Sequence, residues 1–139
     1  MQAFWAELPA ARLEGAVLRL PDGVFFLGDS KLGSRLYVRP VYGPLFEALL
    51  TEKSVNSKRL FVITGTAGIG KSFFLLYALW RFAVMAAPPP AIIFERFVVP
   101  RDRGLAYLCF RPRSPKLLPV CMGGRADFLM EELQDPRTW

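Results

Sequence analysis

Residues Gly65, Thr66, Ala67, Gly68, Ile69, Gly70, Lys71 and Ser72 follow the pattern G-x-x-x-x-G-K-[ST], and no other feature restricts the fold as tightly. The pattern works in one setting: an apolar strand ends just before it and a helix opens just after. Both flanks are legible. Residues 59–64 are a nearly continuous apolar run (Leu60, Phe61, Val62, Ile63) with β-branched members, as a buried parallel strand requires. Residues 71–85 hold no Gly or Pro and are apolar on almost every side, which predicts a buried helix over 71–86, ended by Pro88, Pro89 and Pro90. A second apolar run at 91–94 follows. Strand, loop, helix and strand make one βαβ unit.

Each fixed position of the loop has a mechanical purpose. Glycines at 65 and 70 accept backbone angles closed to other residues, and Gly68 adds freedom between them. The exposed amides between Thr66 and Ser72 curve into a cup for a phosphate, helped by the positive end of the helix that follows. Lys71 then supplies a point charge to the β- and γ-phosphates, and Ser72 a hydroxyl to Mg²⁺. The expected cofactors are a nucleoside triphosphate, ATP first among them, and Mg²⁺. The alternatives are a glycine-rich turn that binds nothing and a degenerate loop kept for its shape.

The rest of the chain is less informative. An amphipathic stretch at 3–13 leads to two short strands, 16–20 and 24–27, separated by the turn residues Pro21, Asp22 and Gly23, so a hairpin is expected. Apolar spacing at Leu45, Phe46, Leu49 and Leu50 predicts a helix within 36–53, starting near Pro44. Strands are expected at 105–110 and 117–122 around a turn at 111–115, with a helix at 126–133.

Composition removes several function classes. With 139 residues and 53% hydrophobic content, the chain can bury a core and is no disordered tail. It contains no histidine, which excludes a Ser-His-Asp triad, a Cys-His pair and any zinc site using His. Cys109 and Cys121 alone are a poor metal site; buried thiols and a disulfide both stay open. The net charge of +6 is spread along the chain, with a loose group at Arg96, Arg101, Arg103, Arg111, Arg113 and Lys116. That excess suits anionic partners but lacks the basic and aromatic interleaving of a nucleic-acid surface. The N-terminus does not read as a secretory signal, and the apolar stretch 73–87, interrupted by Arg81, is too short to cross a bilayer.

Hydrolysis needs more than the loop. An acid at the end of a second apolar strand must help hold Mg²⁺, and another group must orient water. Glu95, closing the run Ile92, Ile93, Phe94, is the weak catalytic candidate, and Asp29 a weaker one. A strand-end charge facing water explains Glu95 more readily than catalysis does, and Asp29, which precedes the loop in sequence, has the lesser claim. No arginine is assignable as a catalytic finger, although Arg96, Arg101 and Arg103 lie in a plausible region.

The run from Phe61 through the loop to Trp80 resembles the loop region of Crinkler effectors of oomycetes and some fungi, and is similar to retrotransposon hot spot proteins of trypanosomes. The stretch Leu36, Tyr37, Val38, Arg39, Pro40, Val41, Tyr42 resembles the approach to that loop, as does the run from Val24 to Gly28. The likeness covers about residues 16–95. It implies a P-loop NTPase ancestry and nucleotide binding. It also implies an effector delivered into host cells, in many cases to the nucleus, with host protein or nucleic acid as partner and no membrane insertion. This chain carries neither a recognisable delivery segment nor a nuclease-like domain. The family pattern has Pro where this chain has Ala67, a change that spares Gly65, Gly70, Lys71 and Ser72. In the family, a segment like 129–139 leads into an apolar strand ending in Asp, so the chain reads as truncated where the magnesium-binding acid is due.

The resulting expectation is an α/β fold: a P-loop NTPase-like parallel sheet with flanking helices, incomplete, preceded by a short β-hairpin and helix lead-in. Residues 1–57 form the lead-in and 58–139 the partial NTPase domain. The expected activity is triphosphate binding with weak or no hydrolysis; the alternative is a non-catalytic effector or interaction module that keeps the loop as inherited structure.

Overall fold

A computed structural model of the chain describes residues 2–56, 61–98, 104–112, 121–122 and 134–139. The chain opens with helix α1 (Gln2–Glu7), which buries Phe4 and Trp5, and a 3-10 turn at Leu8–Ala10 that buries Leu8. Pro9 has no backbone N–H to extend the α-helical ladder, so the amphipathic stretch stops short of residue 13.

The lead-in sheet differs in detail from expectation. Strands β1 (Arg12–Glu14) and β2 (Val17–Arg19) form the hairpin, with Leu13 opposite Leu18 and left-handed Gly15 in the turn. Strand β3 (Arg35–Tyr37) pairs antiparallel with the other edge of β2. Residues 24–27, expected as a strand, instead enter a 3-10 turn at Phe26–Gly28. Successive strand side chains point to opposite faces, but Phe26 and Leu27 are both buried. The chain reconciles this by placing Leu27 at φ 51° and turning over the core.

Helix α2 (Tyr42–Asn56) begins two residues before Pro44, in the first turn where a helix leaves amides unbonded and a proline costs no hydrogen bond. Helix α3 (Lys71–Val84) begins at the predicted residue and ends two residues before the expected 86. Its stripe of Phe74, Tyr77, Ala78 and Phe82 packs into a core that also holds Phe4, Leu8, Leu18, Phe26 and Phe46. Residues on both sides of position 57 share this one buried cluster. Phe46 meets Phe82 edge-on at 4.9 Å, and Tyr42 meets Phe74 at 5.5 Å. Each such ring removed from water stabilises the fold by about 1.5–3 kcal/mol. Arg81 ties the two helices together: it donates to Tyr77 Oη at 2.8 Å and to Glu47 Oε1 at 2.5 Å, with its guanidinium 4.6 Å from the Phe46 ring. Burial alone would lower the Arg81 pKa, but the hydrogen bonds to Tyr77 and Glu47 outweigh it and hold the pKa above its ordinary value. The helix is not buried on all sides, however. Phe73 and Leu75 are each nearly half exposed.

The second sheet contains β4 (Ile92–Val98), β5 (Gly104–Phe110) and β6 (Cys121–Met122). Both β4–β5 and β5–β6 are antiparallel, with Ile93 opposite Cys109 and Tyr107 opposite Cys121. Cys109 is buried as a thiol. The expected turn at 111–115 falls largely outside the described residues, and the helix at 126–133 wholly so.

The parallel sheet expected around 59–64 does not appear among the described residues. Residues 61–66 join no strand ladder. One edge of β4 is taken by β5, its neighbour along the chain. At the other edge Trp139 donates to Ala91 O at 3.1 Å and accepts from Ile93 N at 2.5 Å. These two bonds straddle Ile92, the pattern of a parallel pairing. The Trp139 ring stacks on Phe61 at 6.0 Å with 8° between planes. Trp139 therefore touches both the approach to the loop and the start of β4.

Candidate functional site

The loop enters α3 with the backbone that its glycines permit. Gly65 has φ 148°, Gly68 φ 76° and Gly70 φ 90°. Gly70 is the N-cap of α3 in the left-handed region, and its carbonyl accepts the amide of Phe74 at 2.9 Å, the first helical bond. A side chain at Gly70 would be strained by that φ. It would also meet Tyr42 Oη at 2.5 Å and Arg39 Nε at 3.2 Å. A tight turn closes the middle of the loop, where Ile69 N donates to Thr66 O at 3.4 Å. Thr66, Ala67, Gly68 and Ile69 are exposed, so the loop lies on the surface with no bulky cover.

Lys71 folds back over this loop. Its Nζ donates to the carbonyls of Gly65 and Thr66, both at 2.8 Å. The ammonium thus sits at the rim of the glycine turn, held by two neutral acceptors that an anionic oxygen outcompetes. Ser72, at the second helical position, is exposed, and its hydroxyl makes no hydrogen bond to the described residues. The opening amides of α3 have no intrahelical acceptor. The donor types a phosphate needs are present in this one segment: left-handed glycines, first-turn amides, one ammonium and one hydroxyl lie within residues 65–72. Lys71 and the amides of 66–72, apart from that of Ile69, which is bonded to Thr66 O, would hold phosphate oxygens, and Ser72 would hold Mg²⁺, whose charge offsets that of the phosphates.

Two further side chains, from the lead-in, reach the loop. Tyr42 Oη donates to Gly70 O at 2.7 Å, and Arg39 lies against both Tyr42 and Gly70. Burial raises the Tyr42 pKa above its usual 10.0, while the charge and hydrogen bond of Arg39 pull the other way. Sequence reasoning assigned no role to either residue. The available signal was their spacing: Arg39 precedes the first helical residue by three, and the turn bond from Tyr42 N to Arg39 O at 2.9 Å folds them onto one side.

The two acid candidates differ in what the structure shows of them. Asp29 caps the 3-10 turn at Ser30–Leu32, its Oδ1 accepting Lys31 N at 3.0 Å, a local job that explains its presence. Glu95 is paired with Tyr107 in the β4–β5 ladder, and its side chain lies outside the described residues, as does that of Arg96. Arg101 and Arg103 are also outside them. Among the described residues no group of three or more His, Cys, Asp or Glu side chains is placed to hold a metal. A groove of about 800 Å³ lies at the far end of α3, lined in part by Lys53, Phe82, Pro88, Arg111 and Trp139, and includes no loop residue. No helix among the described residues is long and apolar enough to cross a membrane.

Over 47 residues the chain is 40% identical to Crinkler effector protein 15 and, to the same extent, to Crinkler effector protein 16, both of Phytophthora infestans. No family profile and no solved structure matches the chain. The matched segment is 34% of this chain and 8% of each relative, so a short Crinkler-like stretch is what the chain has in common with these much longer proteins.

Proposed function

We propose that this chain binds a nucleoside triphosphate, ATP first among them, with Mg²⁺ through residues 65–72, in a Crinkler-like protein with weak or no hydrolysis. The observation that carries the reading is the loop itself: Lys71 Nζ bridges the carbonyls of Gly65 and Thr66 beside the left-handed N-cap Gly70. In this reading phosphate oxygens displace those carbonyls from the ammonium, the loop amides and the α3 dipole add to the attraction, and Ser72 meets the magnesium ion. A P-loop NTPase-like parallel sheet, shared with retrotransposon hot spot proteins, belongs to the same proposal. So does an effector role in a host cell, which the Crinkler similarity favours.

The test is thermal stabilisation by ATP·Mg²⁺. At a hundredfold excess over Kd, a binder gains about 2.7 kcal/mol. Lys71→Ala should abolish the gain and leave the fold intact, because among the described residues Lys71 bonds to exposed loop carbonyls. Equal stabilisation of the variant would overturn the site assignment.

A second reading is a non-catalytic interaction module that retains the loop as inherited structure. It is favoured by the Crinkler similarity, which fits an effector role. This reading requires no stabilisation by ATP·Mg²⁺ in either protein.

A further inference from the structure

We propose that Arg39 is a second phosphate-binding cation of the loop, supplied from outside the glycine motif and placed beside Tyr42. The inference rests on the nucleotide-binding reading above and deepens it. The two cations flank the loop from opposite ends. Lys71 Nζ holds the entry at Gly65 and Thr66, and the Arg39 side chain lies at the exit, with Nε 3.2 Å and Cδ 3.6 Å from where a Gly70 Cβ would stand. Only a glycine lets the guanidinium stem approach the backbone that closely.

Tyr42 is the fixed point of this arrangement. It is 3% exposed, is packed edge-on against Phe74 of α3, and donates its hydroxyl to Gly70 O. Arg39 lies beside that same hydroxyl, its Nε and the Tyr42 Oη standing 3.2 Å and 2.5 Å from the Gly70 Cβ position. The guanidinium stem is therefore placed at the loop, and the residue is solvent-exposed. No ion pair ties it to a carboxylate among the described residues, unlike Arg19, Arg81 and Arg137, which are paired with Glu14, Glu47 and Asp135. An exposed guanidinium beside a phosphate loop suits a polyanion: its planar fork matches two phosphate oxygens, and with Lys71 it places two positive charges around one small turn. The ligand class follows: a diphosphate or triphosphate group, which can touch both ends of the loop, in preference to a monophosphate.

The experiment is calorimetric titration of the full chain with inorganic pyrophosphate, and separately inorganic phosphate, at low and high potassium chloride. Wild type should bind pyrophosphate more tightly than phosphate. Arg39→Ala should weaken pyrophosphate binding by about tenfold at low salt and by much less at high salt, because the lost contact is a screened charge pair. Arg39→Lys should recover a substantial part. Circular dichroism should report an unchanged fold, since Arg39 is exposed; should Arg39→Ala not fold, Arg39→Gln replaces it in the same titrations. A loss that is equal at both salt concentrations, with no recovery in Arg39→Lys, would mean Arg39 merely props up the loop and would overturn the proposal. Unchanged pyrophosphate affinity in Arg39→Ala, with loss in Lys71→Ala, would overturn it while leaving the nucleotide reading standing. Unchanged affinity in both variants would overturn both.

Discussion

The hydroxyl of Tyr42, first residue of α2, donates to the carbonyl of Gly70, N-cap of α3, at 2.7 Å across 28 positions of sequence. That carbonyl also accepts the first helical amide, from Phe74. One oxygen thus joins the lead-in, the loop and the helix.

Removing only the hydroxyl isolates this link. Tyr42→Phe keeps the ring against Phe74 and Tyr77 but deletes the donor. Urea denaturation should show a loss of about 0.5–1.5 kcal/mol, typical of a single hydrogen bond whose acceptor retains another partner. An undiminished midpoint would show that the bond does not contribute.

Gly70→Ala should be the more damaging change. It forces a side chain into φ 90° and to within 2.5 Å of Tyr42 Oη. A cost of about 1–3 kcal/mol is expected from the backbone strain alone, together with loss of pyrophosphate binding. Tyr42→Phe in the same chain should not restore stability, because the φ strain remains. Full rescue would show that the clash, and not the backbone, sets the cost.

Trp139 is expected to be a structural anchor. It stacks on Phe61, packs at 4.9 Å from Phe82 and lies under the Lys53 ammonium at 4.2 Å. Trp139→Ala should destabilise the chain by about 2–4 kcal/mol, read from the chemical-denaturation midpoint. It should also increase proteolysis next to Phe61, because residues 61–66 join no ladder that would hold them.

The Asp135 carboxyl should titrate low, at about 2, because Arg137 donates to it through both side chain and backbone. A carboxyl depressed in the folded state contributes its stability fully above its ordinary value of 3.8, and the contribution fades as pH falls towards 2. A carbon-detected NMR titration should place the midpoint near 2 in wild type and near the ordinary value in Arg137→Ala. Equal midpoints would refute the pairing in solution.

ATP turnover should be slow or absent. Brisk hydrolysis that depends on Lys71 would point back to Glu95 as the magnesium-holding acid, to be checked with Glu95→Gln.

Much of the local structure was legible. Helix α3 begins where the motif demands and ends before the three prolines, since helix signals lie within a few residues of one another. Strand β5 falls on its apolar run, whereas β4 continues past the run at 91–94 through Glu95 to Val98. Phe26 and Leu27 were misread as strand, because an apolar run does not state whether adjacent side chains must share one face. Pairing partners were also beyond reach: β4 taking β5 antiparallel depends on contacts between segments, which local pattern does not encode.

Sequence alone determined the chemical identity of the loop, because the spacing of two glycines, an ammonium and a hydroxyl is a covalent fact set within eight residues. It likewise excluded histidine chemistry, since no histidine exists to supply it. Tertiary structure decided what stands around that loop. Arg39 and Tyr42 are some thirty positions from Gly70, and only the packing of α2 on α3 through Phe46, Tyr77 and Arg81 carries them to its edge. A motif specifies the groups it contains, whereas the groups it meets are chosen by where the burial of aromatic rings is most favourable.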